Sequence, residues 1–206
     1  MNRLVIGIVG HDGAGKSTLA SAIVAQGLES GLKGEIIPLA RALREELATM
    51  AGYSRESLYA KPTSPHMRAL LRAHGWARRI EEHEGYWVTR LLHAIAATDS
   101  DLYVTDDVRH ANEAALFTRS DTFITRTPLP CDPDAYNTID GVFPARFRLI
   151  AINRASSDPQ PHEDDPPIIA EVFAAKKLAG FTVENVDGDT AELARNAMRV
   201  MFWAAQ

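Results

Sequence analysis

Residues 4–18 decide the fold of this chain; they read LVIGIVGHDGAGKST. The apolar run 4–9 predicts a strand that is buried on both faces, and residues 18–25 predict a helix. Between them, residues 10–17 match the pattern G-x-x-x-x-G-K-[ST], the phosphate-binding P-loop. A strand, a glycine-rich loop and a helix in this order form the context in which the pattern indicates a nucleotide site.

The residue types of this loop suit a bound triphosphate and Mg²⁺. Its glycines let successive backbone N–H groups point at one spot, and the start of the helix adds its positive dipole end. Lys16 can reach the β- and γ-phosphates, and the Ser17 hydroxyl can bind Mg²⁺. The flanking strand and helix disfavour the alternative of a glycine-rich turn with a chance lysine. The predicted ATP-binding residues are Gly10, Gly13, Ala14, Gly15, Lys16, Ser17 and Thr18.

Composition limits the remaining classes. The chain has 206 residues, of which 46% are apolar, and this suits one domain spanning residues 1–206. The net charge of −5 argues against a broad basic surface for nucleic acid. Cys131 is the only cysteine, which excludes an internal disulfide and a cysteine metal cluster. The absence of a signal peptide and of a long apolar stretch predicts a cytoplasmic protein without a membrane partner.

Strands alternate with helices beyond the first unit. Further strands are predicted at 35–38, 101–106, 122–126 and 181–186, and further helices at 39–50, 66–84, 86–97, 112–119, 168–178 and 190–203. This alternation predicts an α/β fold, a three-layer α/β/α P-loop NTPase domain with a mainly parallel five-stranded sheet. Residues 52–98 form a mostly helical region. Residues 127–165 hold most of the prolines and are long enough for a lid, although 147–152 are compatible with a strand.

A second phosphate site is predicted where the strand 101–106 ends. Ligands of open α/β sheets bind at the carboxyl ends of strands, and here the sequence continues through Asp106, Asp107 and Arg109. Either aspartate can hold Mg²⁺, partly through water, and Arg109 can bind a phosphate with two hydrogen bonds. A surface turn with an Asp–Arg ion pair is the structural alternative. The predicted catalytic residues are Lys16, Asp107 and Arg109.

Further arginines and aromatic residues are candidates for the same chemistry. Arg68, Arg72 and Arg79 share one face of the predicted helix 66–84, which suits a bound phosphate as well as a solvated helix face. Trp87 is a candidate for stacking on a base, although aromatic residues at such spacing are more often part of the core. Lid arginines stabilise a transferring phosphate in nucleotide kinases. The candidates for that role are Arg126, Arg146, Arg148 and Arg154.

These motifs together resemble the phage-type deoxynucleoside monophosphate kinases of the P-loop nucleoside monophosphate kinase superfamily. The matching segments are 10–18, 61–63 with 68–71, Gly75 with Arg79, 86–88, 107–114 and 184–189. The resemblance implies ATP and Mg²⁺ as donor, a 5′-monophosphate as acceptor, an acceptor-binding region at about 52–98 and a lid at about 127–165. It also implies that Arg109 and one or more of Arg68, Arg72 and Arg79 hold the acceptor phosphate, with Asp107 beside Mg²⁺.

The P-loop itself is similar to that of thymidylate kinases through residues 12–18. An acidic loop residue contacts the acceptor sugar in that family, which implies substrate binding by Asp12; a cap of the loop is the alternative. Trp76-Ala77 replaces a polar pair that lies near the base pocket of the monophosphate kinases, so the base of the acceptor is not predicted. That departure and the long insert at 131–160 also fit a related phage kinase, which phosphorylates 5-hydroxymethyl-deoxyuridine within DNA.

Three functions therefore stand in order of preference. A kinase of free deoxynucleoside monophosphates comes first, the DNA-modification kinase second, and a P-loop ATPase or GTPase switch third because no guanine-selecting motif is found. The expected partner is a small nucleotide, with DNA as a possible substrate and a homodimer left open. A phage-encoded protein of this kind would act in the host cytoplasm.

Overall fold

The computed structural model describes residues 3–60, 63–118, 122–124, 142–154, 166–185 and 189–206. Within these residues the strands are β1 Arg3–Val9, β2 Gly34–Ile36, β3 Leu102–Val108, β4 Thr122–Ile124, β5 Val142–Asn153 and β6 Phe181–Glu184. Five of them run parallel in the order β2-β3-β1-β5-β6, while β4 pairs antiparallel with the first residues of β5. The predicted α/β fold with a mainly parallel five-stranded sheet is confirmed.

The helices lie on both faces of this sheet. They are α1 Lys16–Glu29, α2 Ala40–Ala51, α3 Arg55–Tyr59, α4 Pro65–Glu81, α5 Tyr86–Ala96, α6 Ala111–Leu116, α7 Pro166–Lys176 and α8 Thr190–Ala204. Side chains of a strand alternate between the two faces, and β1 illustrates the result. Ile6 and Ile8 pack against α1 and α8, whereas Val5 and Val9 pack toward α2, α5, α6 and α7. Both faces of β1 are therefore covered, as its apolar sequence predicts.

Within the helical region 52–98, α3 and α4 pack against α2 around a small core of their own, while α5 packs into the main core beside the sheet. Leu47 of α2, Leu58 of α3 and Met67 of α4 form a buried apolar cluster. The short helix α3 lies where a loop is expected, and the Ser54 hydroxyl caps it by accepting a hydrogen bond from the Ser57 N–H. The helix α4 continues through Gly75, whose carbonyl accepts a hydrogen bond from Trp87 Nε1 and whose lack of a side chain leaves room for Leu43. No helix in the described part of the chain is both long enough and apolar enough to cross a membrane.

The largest difference from the sequence-based expectation is β5. Residues 142–153 form a strand of 12 residues beside β1, so the lid prediction for 127–165 is wrong over this stretch. The strand alternates: Ala145, Phe147 and Leu149 are buried on one face, while the intervening arginines lie on the other. The remaining residues of that segment, 127–141 and 155–165, lie outside the described residues.

Candidate active site

The P-loop is built by the turn from β1 into α1. Gly13 and Gly15 have φ values of 79° and 96°, in the left-handed region that a side chain rarely adopts. The resulting curl brings the Lys16 ammonium back onto the loop, where it donates to the carbonyls of Gly10 at 2.9 Å and His11 at 2.8 Å. Burial lowers the pKa of Lys16 from its usual value. The cation is thus held over the site in which phosphates would lie.

Asp12 links this lysine to the end of β3. Its Oδ1 accepts a hydrogen bond from Arg109 Nη2 at 2.8 Å and lies 3.5 Å from Lys16 Nζ. Burial acts to raise the pKa of Asp12, but the charges of Arg109 and Lys16 outweigh it and lower the pKa below its usual value. Asp12 is therefore ionised between two cations. The structure brings together three of the predicted site residues at this point.

Asp106 and Asp107 are consecutive residues near the end of β3, where the pairing with β1 shifts register between Thr105 and Val108, and their carboxylates face different helices. Asp106 faces α1, and its Oδ2 accepts a hydrogen bond from the Ser17 hydroxyl at 2.6 Å. Asp107 faces α2, where its oxygens accept from the backbone N–H groups of Leu39 at 2.7 Å and Ala40 at 2.9 Å. The structure thus places the Asp107 carboxylate at the first turn of α2, which it caps, rather than beside Ser17, where the Mg²⁺ and catalytic assignment would need it.

The pair Ser17 and Asp106 fits Mg²⁺ by the chemistry of its donor atoms. A hydroxyl and a carboxylate oxygen are hard ligands of the kind that Mg²⁺ prefers, and one or two protein ligands are usual beside substrate phosphates. The two oxygens already meet at 2.6 Å at the mouth of the P-loop. Ser17 and Asp106 are the residues that would hold the ion, and the sequence left the choice between Asp106 and Asp107 open.

Glu113 is a site residue that the sequence reasoning missed. The side chain is buried, and its Oε2 accepts hydrogen bonds from the backbone N–H groups of Arg109 at 2.9 Å and His110 at 3.0 Å. Its Oε1 pairs with the guanidinium of Arg79 from α4. An acidic residue three positions after the start of a helix is a capping signal that could have found it.

The other substrate-binding candidates lie on α4 and α5. Arg68 Nε donates to the Thr63 carbonyl at 3.2 Å, near the beginning of α4, and Arg72 is exposed on the same helix. Residues 61–62 of the matching segment lie outside the described residues. Trp87 is only 4% exposed; its Nε1 donates to the Gly75 carbonyl at 2.9 Å, so its assignment to the substrate is corrected to a core role.

The four lid arginines separate into three groups. Arg146 and Arg148 lie on β5 and face α8, where Arg146 donates to the Ala205 carbonyl at 2.7 Å and Arg148 lies 5.9 Å from the Trp203 ring. Their lid assignment is wrong, because a central strand fixes them away from the P-loop. Arg154 follows β5 and donates to the Gly13 carbonyl at 3.0 Å, so it does lie at the P-loop. Arg126 lies outside the described residues.

Asn185, directly after β6, is hydrogen-bonded to the backbone of the P-loop. Its Nδ2 donates to the Ala14 carbonyl at 2.8 Å, and its own N–H donates to the Asn153 carbonyl at 2.8 Å. A Cβ atom on Gly15 would lie 2.6 Å from Asn185 Nδ2, so this contact requires glycine at position 15. The matching segment 184–189 includes Asn185, but no local pattern assigns it this role.

We expect Asn185→Ala to raise KM for ATP by about tenfold, because the Ala14 carbonyl loses its partner and the phosphate-binding curl is less well fixed. KM for the acceptor should stay within about twofold, since Asn185 touches the donor side only. Asn196→Ala is the matched control: this buried asparagine donates to the Glu184 carbonyl on β6 and accepts from Arg199 on α8. Equal ATP affinity in wild type and Asn185→Ala would contradict this role.

Several solved protein structures resemble this chain in their fold. No family model matches the chain, and no curated protein matches it in sequence. Shikimate kinase from Aquifex aeolicus is 14% identical, with 98% of each chain covered and a TM-score of 0.46. Shikimate kinase from Acinetobacter baumannii in complex with shikimate is 11% identical, covering 98% of this chain and 94% of that one, with a TM-score of 0.44. Dephospho-CoA kinase from Campylobacter jejuni is 11% identical, covering 98% and 96%, with a TM-score of 0.42. At these identities and TM-scores, the activity of this chain has to be argued from its own side chains.

Proposed function

We propose that the protein is a kinase that transfers the γ-phosphate of ATP to a deoxynucleoside 5′-monophosphate. One observation carries the proposal: the P-loop lysine and an arginine from the end of β3 converge on a single oxygen of Asp12. A second cation aimed at the same point supports a second phosphate group beside the first, as phosphoryl transfer between two phosphates requires.

In the proposed reaction each residue has a distinct task. An oxygen of the acceptor phosphate forms a bond to the γ-phosphorus, and the bond from that phosphorus to the bridging oxygen of ADP breaks. Lys16 and the loop N–H groups hold the donor phosphates, while Arg109 holds the acceptor phosphate in line. Ser17 and Asp106 would bind Mg²⁺, which neutralises charge on the donor when it is present. Arg154, at the Gly13 carbonyl, adds positive charge on the donor side.

Support for a deoxynucleotide acceptor comes from the motif around Arg109 and from Asp12. The run 107–114 resembles that of the deoxynucleoside monophosphate kinases, and its Arg109 side chain reaches the P-loop. Asp12 is ionised and partly exposed beside that arginine. A nucleotide whose phosphate binds Arg109 would bring a sugar hydroxyl within reach of this carboxylate. An anionic acceptor phosphate would take over Arg109 from Asp12 and leave the carboxylate to accept from the hydroxyl.

An acceptor screen tests the proposal. ADP release from ATP and Mg²⁺ would be measured with each deoxynucleoside and ribonucleoside monophosphate, with 5-hydroxymethyluracil DNA, and with no acceptor. We expect turnover only with a free deoxynucleoside monophosphate. Turnover confined to the modified DNA would replace the proposal by the DNA-modification kinase, and equal hydrolysis without any acceptor would replace it by a switch.

A further inference from the structure

A chain of contacts leads from the helical region to the P-loop through one buried carboxylate. Glu113 pairs with Arg79 of α4 through one oxygen and with the backbone N–H groups of Arg109 and His110 through the other. The Arg109 side chain then reaches Asp12, which contacts Lys16. The helix α4 and the donor loop are thus joined by successive polar contacts, with Glu113 in the middle.

We propose that Glu113 and Arg79 form a positioning pair that holds Arg109 in the orientation in which it binds the acceptor phosphate. This inference rests on the proposed function, because it concerns the acceptor side of the same site. Neither residue is assigned to touch the acceptor itself. Arg79, whose spacing on α4 suggests a phosphate ligand, instead acts through Glu113.

The burial of the pair makes its effect on Arg109 specific. The Glu113 and Arg79 side chains are 5% and 16% exposed, so each depends on the other to compensate its charge. Both Glu113 oxygens are occupied by donors. A glutamine at this position has one acceptor oxygen and one N–H₂ group, so it can satisfy Arg79 or the backbone N–H groups, but not both. The turn that carries Arg109 then loses its fixed position.

A second ion pair on the neighbouring residue of α4 provides a matched control. Arg78 Nε lies 3.1 Å from Glu46 Oε2, with side chains that are 20% and 11% exposed. His74 Nε2 lies 3.1 Å from the same oxygen, and Tyr86 donates to the other one. This cluster joins α2, α4 and α5 and includes no residue of the P-loop or of the turn at Arg109. It has similar burial and charge without the proposed link to the acceptor.

The experiment compares Glu113→Gln, Arg79→Met and the double variant with Glu46→Gln and Arg78→Met, using the full chain. We expect Glu113→Gln and Arg79→Met each to raise KM for the acceptor monophosphate by about tenfold while KM for ATP changes less than about twofold. The double variant should be no worse than the poorer single variant, because the pair acts as one unit. Glu46→Gln and Arg78→Met should lower the melting temperature and leave both KM values unchanged.

Two results would overturn the inference. An acceptor KM that is unchanged in Glu113→Gln would show that the pair only stabilises the fold, as would matching behaviour of the control variants. Effects of Glu113→Gln and Arg79→Met that multiply in the double variant would show that Arg79 binds the acceptor independently.

A binding measurement separates failure of this inference from failure of the proposed function. With the P-loop saturated by a non-hydrolysable ATP analogue and Mg²⁺, inorganic phosphate is titrated and the rise in melting temperature is followed. Glu113→Gln should need about tenfold more phosphate than wild type for the half-maximal shift, whatever acceptor is used in turnover. Identical titrations in wild type and Glu113→Gln overturn the positioning role, even if wild type phosphorylates no monophosphate and the proposed function itself fails.

Discussion

Replacing Arg109 by alanine is expected to lower kcat/KM for the acceptor by about a thousandfold, while the affinity for ATP changes little. The guanidinium lies 2.8 Å from Asp12 Oδ1 at the P-loop and is the group that we propose to bind the acceptor phosphate. Its loss removes the charge that holds the acceptor phosphate in line with the donor. Steady-state kinetics with both substrates varied, together with a titration of an ATP analogue, measures the two effects separately.

Arg41→Ala is the matched control for this variant. Arg41 is an arginine of α2 that pairs with Glu35 and Glu45 on the surface, and its loss should leave turnover within about twofold of wild type. A fall of less than about tenfold in Arg109→Ala would contradict the assignment of Arg109 to the acceptor. A comparable loss of ATP-analogue binding would place Arg109 on the donor side.

The second large effect is a contrast between two neighbouring aspartates. Asp106→Asn should lower kcat by about a hundredfold or more at saturating ATP and shift the dependence of the rate on Mg²⁺ to higher concentrations, because one of the two proposed metal ligands is lost. Asp107→Asn should keep kcat within about threefold of wild type, since its carboxylate bonds to Leu39 and Ala40 on the opposite side of the strand. The reverse pattern would restore Asp107 as the residue beside the metal.

Stability provides an independent readout for Asp107. Burial, together with the nearby Asp106 charge and against the two backbone hydrogen bonds, raises the pKa of Asp107 to about 6 from 3.8. The folded protein therefore holds a proton between these pH values that the unfolded chain releases. The contribution of Asp107 to the free energy of unfolding should fall as the pH rises from about 4 to about 6. Chemical denaturation of wild type and Asp107→Asn across this range measures the difference.

The donor half of the site was predictable from the sequence because its determinants are local. Residues 4–18 contain the strand, the two left-handed glycines, the lysine and the start of α1, and the structure confirms this unit. The sequence does not predict which helix each of Asp106 and Asp107 faces, because the predicted strand 101–106 ends between them. The register between β1 and β3 shifts in the stretch from Thr105 to Val108, so simple alternation along the strand does not predict which helix each carboxylate faces.

Other parts of the site depend on partners distant in the chain. Glu113 is identified by its contact with Arg79, 34 residues earlier, and Asn185 by its bond to Ala14, 171 residues earlier. The capping position of Glu113 is visible locally, but no local pattern predicts its contact with Arg79 or the bond from Asn185 to Ala14. In β5, Arg146 and Arg148 suggest a charged surface segment. The buried residues Ala145, Phe147 and Leu149 alternate with them, as expected for a strand. Because α8 covers the face of β5 that carries these arginines, their charge does not mark an exposed segment, and the sequence alone does not show this.

The bond between Asn185 and Ala14 also bears on biosynthesis. The nucleotide motif at 10–17 is synthesised well before Asn185, because the contact that fixes its loop spans 171 positions. The helix after the loop, α1, packs against α8, whose residues are made later still. A nascent chain that has not yet reached β6 therefore carries the entire motif without a fixed loop. Such long-range closure is slow to form, so ATP present during synthesis should bind late and report on completed folding rather than guide it.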